Sequence, residues 1–428
     1  MTFSRLRVLN LPAREPWERN LCVLWLALAL TMVGFGSVFP FLPLYMRELG
    51  VEDPGQAALW GGIAGGLAAF FMVFSSPFWG VLGDRSGRKK NVVRGIFGFG
   101  AVMFAASFVP NVYYLLGVWL FLGFMPGPGM VSMPLIATLA PKHRVPYSIG
   151  VLMSASFLGF TVGPLVGGLL IDSVGFRMTL MAAAGLLSVS GSMVLFLVNE
   201  DREAPGSPEG LDLRQMLSGI TRVARSREIA PILGVLFMVQ FSGSLMMPAL
   251  PLFLGTLSSG EDVGASVGIA FAILGVTGGV SSILIGRMGQ RIGRTPLIAG
   301  SFLLMGLAYI PMLMVGDIMS AYLVLGVLGF LGGALVTTAF ALVGTSAGEN
   351  QGAAYGAAQS ASSVAWFAAP LAGGAIAGMW GLREVFLVEV VAYVLAGALA
   401  IRLLAGTEAE KEPVTVEAAP ILESAGGD

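Results

Sequence analysis

Few residues in this chain of 428 are of a type that does chemistry. It has one histidine, His143, in a short polar loop, and one cysteine, Cys22, which leaves no multi-histidine metal centre, no thiol metal cluster and no disulfide framework. An enzyme would need paired acids, a Ser or Cys nucleophile with a base, or a metal cluster, and the sequence meets none of these minima. It also lacks a GxxxxGK stretch for nucleotide phosphates. No enzymatic activity, no metal and no cofactor are expected. Two features remain. Glu389 is an acid set inside the apolar run LREVFLVEVVAYVLAG, and GVLGDRSGRKK, residues 80–90, packs five charges into a chain of which 11% is charged. A carboxyl group in apolar surroundings is costly to charge and is a natural proton carrier. The alternative is an acid bonded to a neighbour or turned up to the surface. In the charged stretch, Gly80, Gly83 and Gly87 permit a tight turn and close helix approach. Asp84 there sets a fixed negative charge beside Arg85, Arg88, Lys89 and Lys90.

The elements that hold these residues follow from composition. With 56% hydrophobic residues and a mean hydropathy of +0.83, the chain has a bilayer as solvent. Twelve apolar runs are long enough to cross it as helices: 20–46, 58–82, 91–110, 113–139, 147–172, 176–198, 229–256, 263–288, 296–315, 318–345, 353–379 and 383–404. They are apolar on every face, which excludes a β-barrel. Of the 24 Lys and Arg, 21 fall in segments on one side, leaving Arg47, Arg177 and Arg383 on the other, so both termini are expected in the cytoplasm. The first span is too long for a signal-peptide core and should remain in the mature protein.

Many residues recur 206 positions later. Ser75, Ser76 and Gly80 return as Ser281, Ser282 and Gly286; Leu122, Gly123 and Phe124 as Leu328, Gly329 and Phe330; Pro164, Gly167 and Gly168 as Pro370, Gly373 and Gly374. The expected architecture is therefore an all-α polytopic membrane protein of twelve helices in two parallel six-helix repeats. Such repeats rock around a site at the membrane midplane, so transport is the leading expectation. Segment 1–19 is read as cytoplasmic, 20–198 as the first bundle, 199–228 as a polar linker, 229–405 as the second bundle and 406–428 as a disordered acidic tail.

GVLGDRSGRKK after span 2 resembles the signature of the major facilitator superfamily, and GRMGQRIGR at 286–294 resembles its degenerate second copy, with Gln290 where the acid would stand. The resemblance implies a latch on the cytoplasmic side, with Asp84 against the start of span 11 and Gly80, Gly83, Arg85, Gly87 and Arg88 shaping it. The competing reading is that the basic residues only fix topology. Span 5 reads GFTVGPLVGGLL: Gly159, Gly163 and Gly167 share a helix face, Pro164 bends the helix and Gly168 follows. It is similar to the motif of drug:proton antiporters. With GFGSVFPFLPLYM in span 1, the chain resembles twelve-span bacterial multidrug-efflux proteins of that type over nearly its full length, implying the inner (plasma) membrane and export. One departure is Trp119, where members of that branch carry an Arg in span 4, which puts proton coupling in question. The resemblance also places span 12 at the periphery, against a carrier role for Glu389.

Spans 1, 2, 4, 5, 7, 8, 10 and 11 are expected to line the cavity. Candidates are Phe35, Phe39, Trp119, Met125, Gln240, Phe241, Met246, Thr337, Gln359 and Trp366. Such a lining offers dispersion and aromatic contact with few hydrogen bonds, which suits hydrophobic or amphipathic small molecules; the resemblance implies protons as the coupling ion. Import or facilitated passage of a metabolite or lipid-like molecule is the alternative. The bilayer is the expected surrounding, no nucleic-acid partner is expected, and a monomer is.

Overall fold

The structure, a computed structural model, describes residues 15–200, 226, 229–258, 262–292, 294–346 and 351–404. The side chains of Pro77, Asp84, Pro146, 285–292, 294–296, Thr345 and 351–353 fall outside that description. The first residues of the expected amino-terminal segment, most of the 199–228 linker and the 406–428 tail also lie outside the described residues.

All regular structure among the described residues is helical. Nine stretches are long and apolar enough to cross a membrane. One of them, the helix Val145–Leu197, turns at Gly175 (φ 82°, ψ 169°) and supplies spans 5 and 6. Arg88–Ala106 and Arg294–Tyr309 serve as spans 3 and 9. Spans 2, 8, 10, 11 and 12 are Pro54–Ser86, Val263–Ile292, Ile318–Ser346, Gln351–Met379 and Leu382–Leu404. Gly175 and Gly381, 206 residues apart, both hold a positive φ at the turn into the last span of their half, where a side chain would be strained.

Three runs read as continuous are broken. Span 1 is Pro16–Gly36 and Leu42–Glu48, span 4 is Val112–Phe124 and Pro128–Leu139, and span 7 is Ile229–Leu245 and Leu250–Leu257. Prolines stand at each break: Pro40 and Pro43, Pro126 and Pro128, Pro248 and Pro251. Proline cannot donate the helical hydrogen bond and its ring displaces the preceding turn, so the break is local chemistry.

The start of span 1 and the end of span 6 share one face, which we call the terminal face. There the Asn20 amide donates to Asn199 O (3.0 Å) and Asn199 N–H donates back to Asn20 Oδ1 (3.2 Å). Each half has a core, the first around Leu24, Phe99, Trp119 and Leu187, the second around Leu236, Phe302, Tyr309 and Phe386. Toward the opposite, far face the cores interlock. Phe41 and Ile171 enter the second, while Ala249, Leu252 and Ala377 enter the first.

The halves meet along two seams, span 5 on span 8 and span 2 on span 11, and both seams are backbone on backbone. A Cβ at Gly168 would collide with Gly264 O, and one at Gly268 would lie 2.6 Å from Pro164 O. The second seam repeats these contacts 206 residues away. Gly374 sits on Ala58 O, and Gly62 on Pro370 O. The evenly spaced glycines of span 5 face their own half instead, Gly159 against Met32, Gly163 against Gly36 and Gly167 against Ser37 O. Followed toward the terminal face, the seam sides come apart. Gly62, Gly66, Phe70 and Phe74 lie at four-residue spacing on one helix side; Phe70 still meets Phe367 at 5.3 Å, whereas Phe74 is 65% exposed. Phe157, one turn before Thr161, is 67% exposed, and Gly279 has nothing within 4 Å of a built Cβ. The bundle is closed at the far face and open at the terminal face.

The far face is also pinned by Asp172 at the end of span 5. Its carboxylate accepts from the backbone N–H groups of Gly264 (2.8 Å) and Ala265 (2.6 Å) at the start of span 8. The start of span 2 is capped by its own Asp53 through Gln56 N–H (2.7 Å). We expect Asp172→Ala to remove about 1 kcal/mol, the loss typical of an N-cap, from the closed far face. Spin-label distances across spans 5 and 8 then shift toward the open population. Gly168→Leu is expected to prise the same seam apart and lower the melting temperature in detergent, while Gly185→Leu, at a glycine with no neighbour within 4 Å, leaves it unchanged.

Candidate functional site

Where the seams close, a narrow apolar pocket lies between the halves, lined by Phe39, Pro43, Ser244, Met247, Trp366 and Pro370. Phe39 and Trp366 are thus brought together from opposite halves. Phe35 stacks on Phe39 (5.0 Å) and contacts Phe99 and Phe160 (6.0 and 6.3 Å). Phe241 stacks on Phe237 at 5.6 Å. Gln240, Phe241 and Thr337 are half-buried, and Gln359 is exposed.

Three expected lining residues are elsewhere. Trp119 is fully buried in the first core, its indole N–H without a partner. It lies one turn from Gly123, whose Cα is pressed to Ala68 of span 2, so that side of span 4 is spent on packing. Met125 sits at the span-4 break, which turns it onto Gly98 of span 3. Met246 opens the span-7 break and is 6% exposed in the second core, its sulfur accepting from Tyr309 O–H (3.2 Å). In each case packing or a helix break set the direction of the side chain.

Glu389 is fully buried, no side chain among the described residues bonds to its carboxylate, and the polar group set against it is the Met246 backbone. Span 12 is peripheral, as expected, with Leu387, Val391 and Leu395 exposed on its outer side, but Glu389 lies on its inner side. Phe386, Glu389, Tyr393, Ala396 and Ala400 follow helical spacing and all are buried. Around the carboxyl stand the Met246 backbone, Tyr309 of span 9 and Tyr393. The two tyrosine rings stack at 5.5 Å. Thus the acid is turned inward, with a backbone group of span 7 and two tyrosines about it.

The charged loop is fixed from a direction that the sequence did not suggest. Glu200, at the end of span 6, accepts from the backbone N–H groups of Arg88 (3.0 Å) and Lys89 (3.2 Å), capping span 3. Gly87 makes the turn at φ 103°. Gly83 lies close to Asn91, whose amide donates to Trp79 O (2.7 Å), and the Trp79 indole donates to Phe124 O (2.6 Å). Arg88 donates to Pro134 O (3.0 Å) across a cavity of about 270 Å³ that Gly80 and Gly83 help line. Arg85 is exposed. The Asp84 side chain, the side chains of the second copy at 286–294 and those at the start of span 11 lie outside the described residues.

Sequence reasoning missed Glu200, assigned to the linker, and Asp172 at the end of span 5. It missed the Trp25 indole, which donates to Ser154 Oγ (3.0 Å) between spans 1 and 5. Phe70 and Phe367 on the second seam were also overlooked. An acid next to a helix end was the available signal for the first two; nothing local marked the others.

A profile described as Major Facilitator Superfamily matches residues 24–260 and 232–424. Multidrug resistance protein MdtG of Escherichia coli strain UMN026 / ExPEC is 31% identical over 378 residues, covering 87% of this chain and 91% of that protein. MdtG of strain SMS-3-5 / SECEC is 32% identical over the same shares. Among solved structures, a bacterial homolog of the human lysosomal transporter Spinster, inward-facing and unoccupied, matches with a TM-score of 0.76 at 13% identity, over 91% of this chain and 97% of that one. The human organic anion transporter MFSD10 (TETRAN) matches at 0.64 and 19% identity, over 90% and 100%. At such identities these two structures speak to the fold alone. The profile spans both halves and the MdtG likeness covers most of both chains; this multi-pass membrane protein, a transporter and not an enzyme, belongs to the Major Facilitator Superfamily.

Proposed function

We propose that the chain exports hydrophobic or amphipathic small molecules across the inner membrane by alternating access, in exchange for protons. The terminal face is cytoplasmic in this reading, as the distribution of Lys and Arg supports. The observation that carries the proposal is the space between the halves, open at the terminal face and ending in an apolar pocket where Phe39 and Trp366 converge. A molecule entering from the cytoplasm meets aromatic and aliphatic surface, and opening of the glycine seams releases it on the other side. The likeness to proteins named for multidrug resistance supports this substrate class. Phe35, Gln240, Phe241, Thr337 and Gln359 stay candidates for the wider cavity. Trp119, Met125 and Met246 act through packing. Asp84 with Gly80, Gly83, Arg85, Gly87 and Arg88 keeps the latch role, and Gly159, Gly163, Pro164, Gly167 and Gly168 set the helix approach of span 5. The protein works as a monomer, since each chain contains both halves of its cavity.

Proton exchange is assigned to Glu389. A charge there would be buried without compensation, so the group must take up a proton or move whenever it is charged. Lipophilic dye loaded into a pump-deficient bacterium should be extruded when this chain is expressed, and a protonophore should stop it. Glu389→Gln should reduce extrusion to the protonophore-treated level with the protein still in the membrane. Failure to extrude any of several dyes would remove the multidrug reading; extrusion untouched by both treatments would remove proton exchange alone. Trp366→Ala should weaken dye binding, measured by quenching in detergent, without lowering expression.

A further inference from the structure

Glu389 lies about 10 Å of helix rise from the far-face end of span 12 at Leu382, which places it nearer the far face than the terminal one. The far face carries a cavity of about 460 Å³ between the halves. Asp53 and Pro54 line it from the first half, Phe253, Thr256, Arg383 and Glu384 from the second. Arg383 is fixed at its wall, donating to Leu313 O (3.2 Å) and Val315 O (2.9 Å), and its guanidinium carbon stands 5.7 Å from the Phe253 ring. Phe253 meets Phe386 edge to face at 4.9 Å. Phe386 in turn stacks on Tyr309 at 6.5 Å, and Tyr309 on Tyr393 at 5.5 Å. The Phe253–Phe386 pair therefore stands between the charged cavity and the stacked Tyr309 and Tyr393 beside the Glu389 carboxyl. On the other side Tyr393 packs on Phe302 at 6.1 Å, followed along span 12 by buried Ala396 and Ala400. That side is solid core.

We infer that Glu389 is a protonation site reached from the far face through the Phe253–Phe386 pair, by a route separate from the substrate cavity. The inference rests on the proton-exchange reading above and adds the side of access and the gate. The step is a proton transfer from a hydronium ion in the far-face cavity to a carboxylate oxygen, which leaves water and a neutral acid; rotation of the two rings admits the proton, and turnover with substrate releases it toward the terminal face. The groups facing the carboxyl are Tyr309 from span 9, Tyr393 from span 12 and the Met246 backbone from span 7. Arg383, Glu384 and Asp53 stand at the mouth, two acids to one base, so the mouth does not repel a cation. The site also has a way to act on substrate. Met246 is the first residue of the span-7 break, and Met247 and Ser244 beside it line the inter-half pocket with Trp366. A change of charge at Glu389 is felt at a flexible joint of the pocket wall.

The test uses the intact protein in proteoliposomes of one orientation, with dicyclohexylcarbodiimide as probe. This reagent crosses membranes and attacks carboxyl groups in their protonated form, so labelling reports proton occupancy whichever side the reagent comes from. Modification of the Glu389 peptide is followed by mass spectrometry, with Glu389→Gln as the blank. Without substrate, when the exporter does not turn over, labelling should fall when the medium at the far face is made alkaline and should not respond to the medium at the terminal face; added substrate should bring in a response to the terminal face, where exchange releases the proton. Phe253→Leu and Phe386→Leu should speed the response severalfold. Labelling that follows the terminal-face medium without substrate overturns the route and leaves proton exchange standing. Labelling that responds to neither side shows a proton that does not exchange and overturns both the route and the exchange role of Glu389; no labelling at all overturns proton binding there and the route with it. The wild-type measurement decides the side, so the outcome does not depend on the variants folding.

Discussion

The structure depends on the approach of two backbones to a distance that no side chain permits. At Gly168 against Gly264 O and at Gly374 against Ala58 O, a single added carbon would overlap the facing chain. Lipid tails are as apolar as the helices they surround, so burial of hydrophobic surface does not by itself drive the halves together in a bilayer. Close dispersion contact must do so, and its strength falls steeply with distance. Small residues on both sides of each seam supply that closeness at the far face. Large residues take their place toward the terminal face, where Phe74 and Phe157 stand uncovered. The alternation from glycine to phenylalanine along one helix side gives the molecule a closed end and an open end.

Polar groups are placed by the opposite pressure, the cost of leaving them without partners in a low-dielectric interior. Most of the hydroxyls in the spans return a bond to their own helix, as Thr31 does to Ala27 O (2.8 Å) and Thr338 to Ala334 O (2.7 Å). The carboxylates at helix ends cap exposed N–H groups: Asp172 on span 8, Glu200 on span 3, Asp53 on span 2. Glu389 breaks the rule. An acid that is wholly buried against a backbone group and two tyrosines is unstable in its charged form, and that instability is what a coupling site would use.

Much of this was legible in the sequence. Hydropathy located the spans, the 206-residue repeat located the halves, and the four-residue spacing of Gly159, Gly163 and Gly167 predicted one contact face, which the structure places on span 1. The single far-face acid inside an apolar run singled out Glu389. Other features were hidden because they turn on direction. Trp119, Met125 and Met246 have the residue types of a cavity lining, and a list of types does not say which way a helix has rotated or where a proline has broken it. Pro126 and Pro248 were visible in the sequence, yet the turn each gives to the neighbouring methionine depends on what fills the space beside it.

By itself the sequence determined the all-helical, apolar character of the chain, the internal duplication and the sides of span 5 that must lie close to another helix, since these follow from period and composition along one dimension. The tertiary structure alone decided that Pro164 and Gly168 meet span 8 while their neighbours meet span 1, that Glu200 and Asp172 cap helices far from them in the chain, and that Glu389 is buried against the span-7 break. The physical reason is that a helical period specifies a face but not what the face meets. Whether a buried acid is satisfied, and which end of the bundle is shut, are properties of pairs of residues distant in sequence, and only packing brings those pairs into contact.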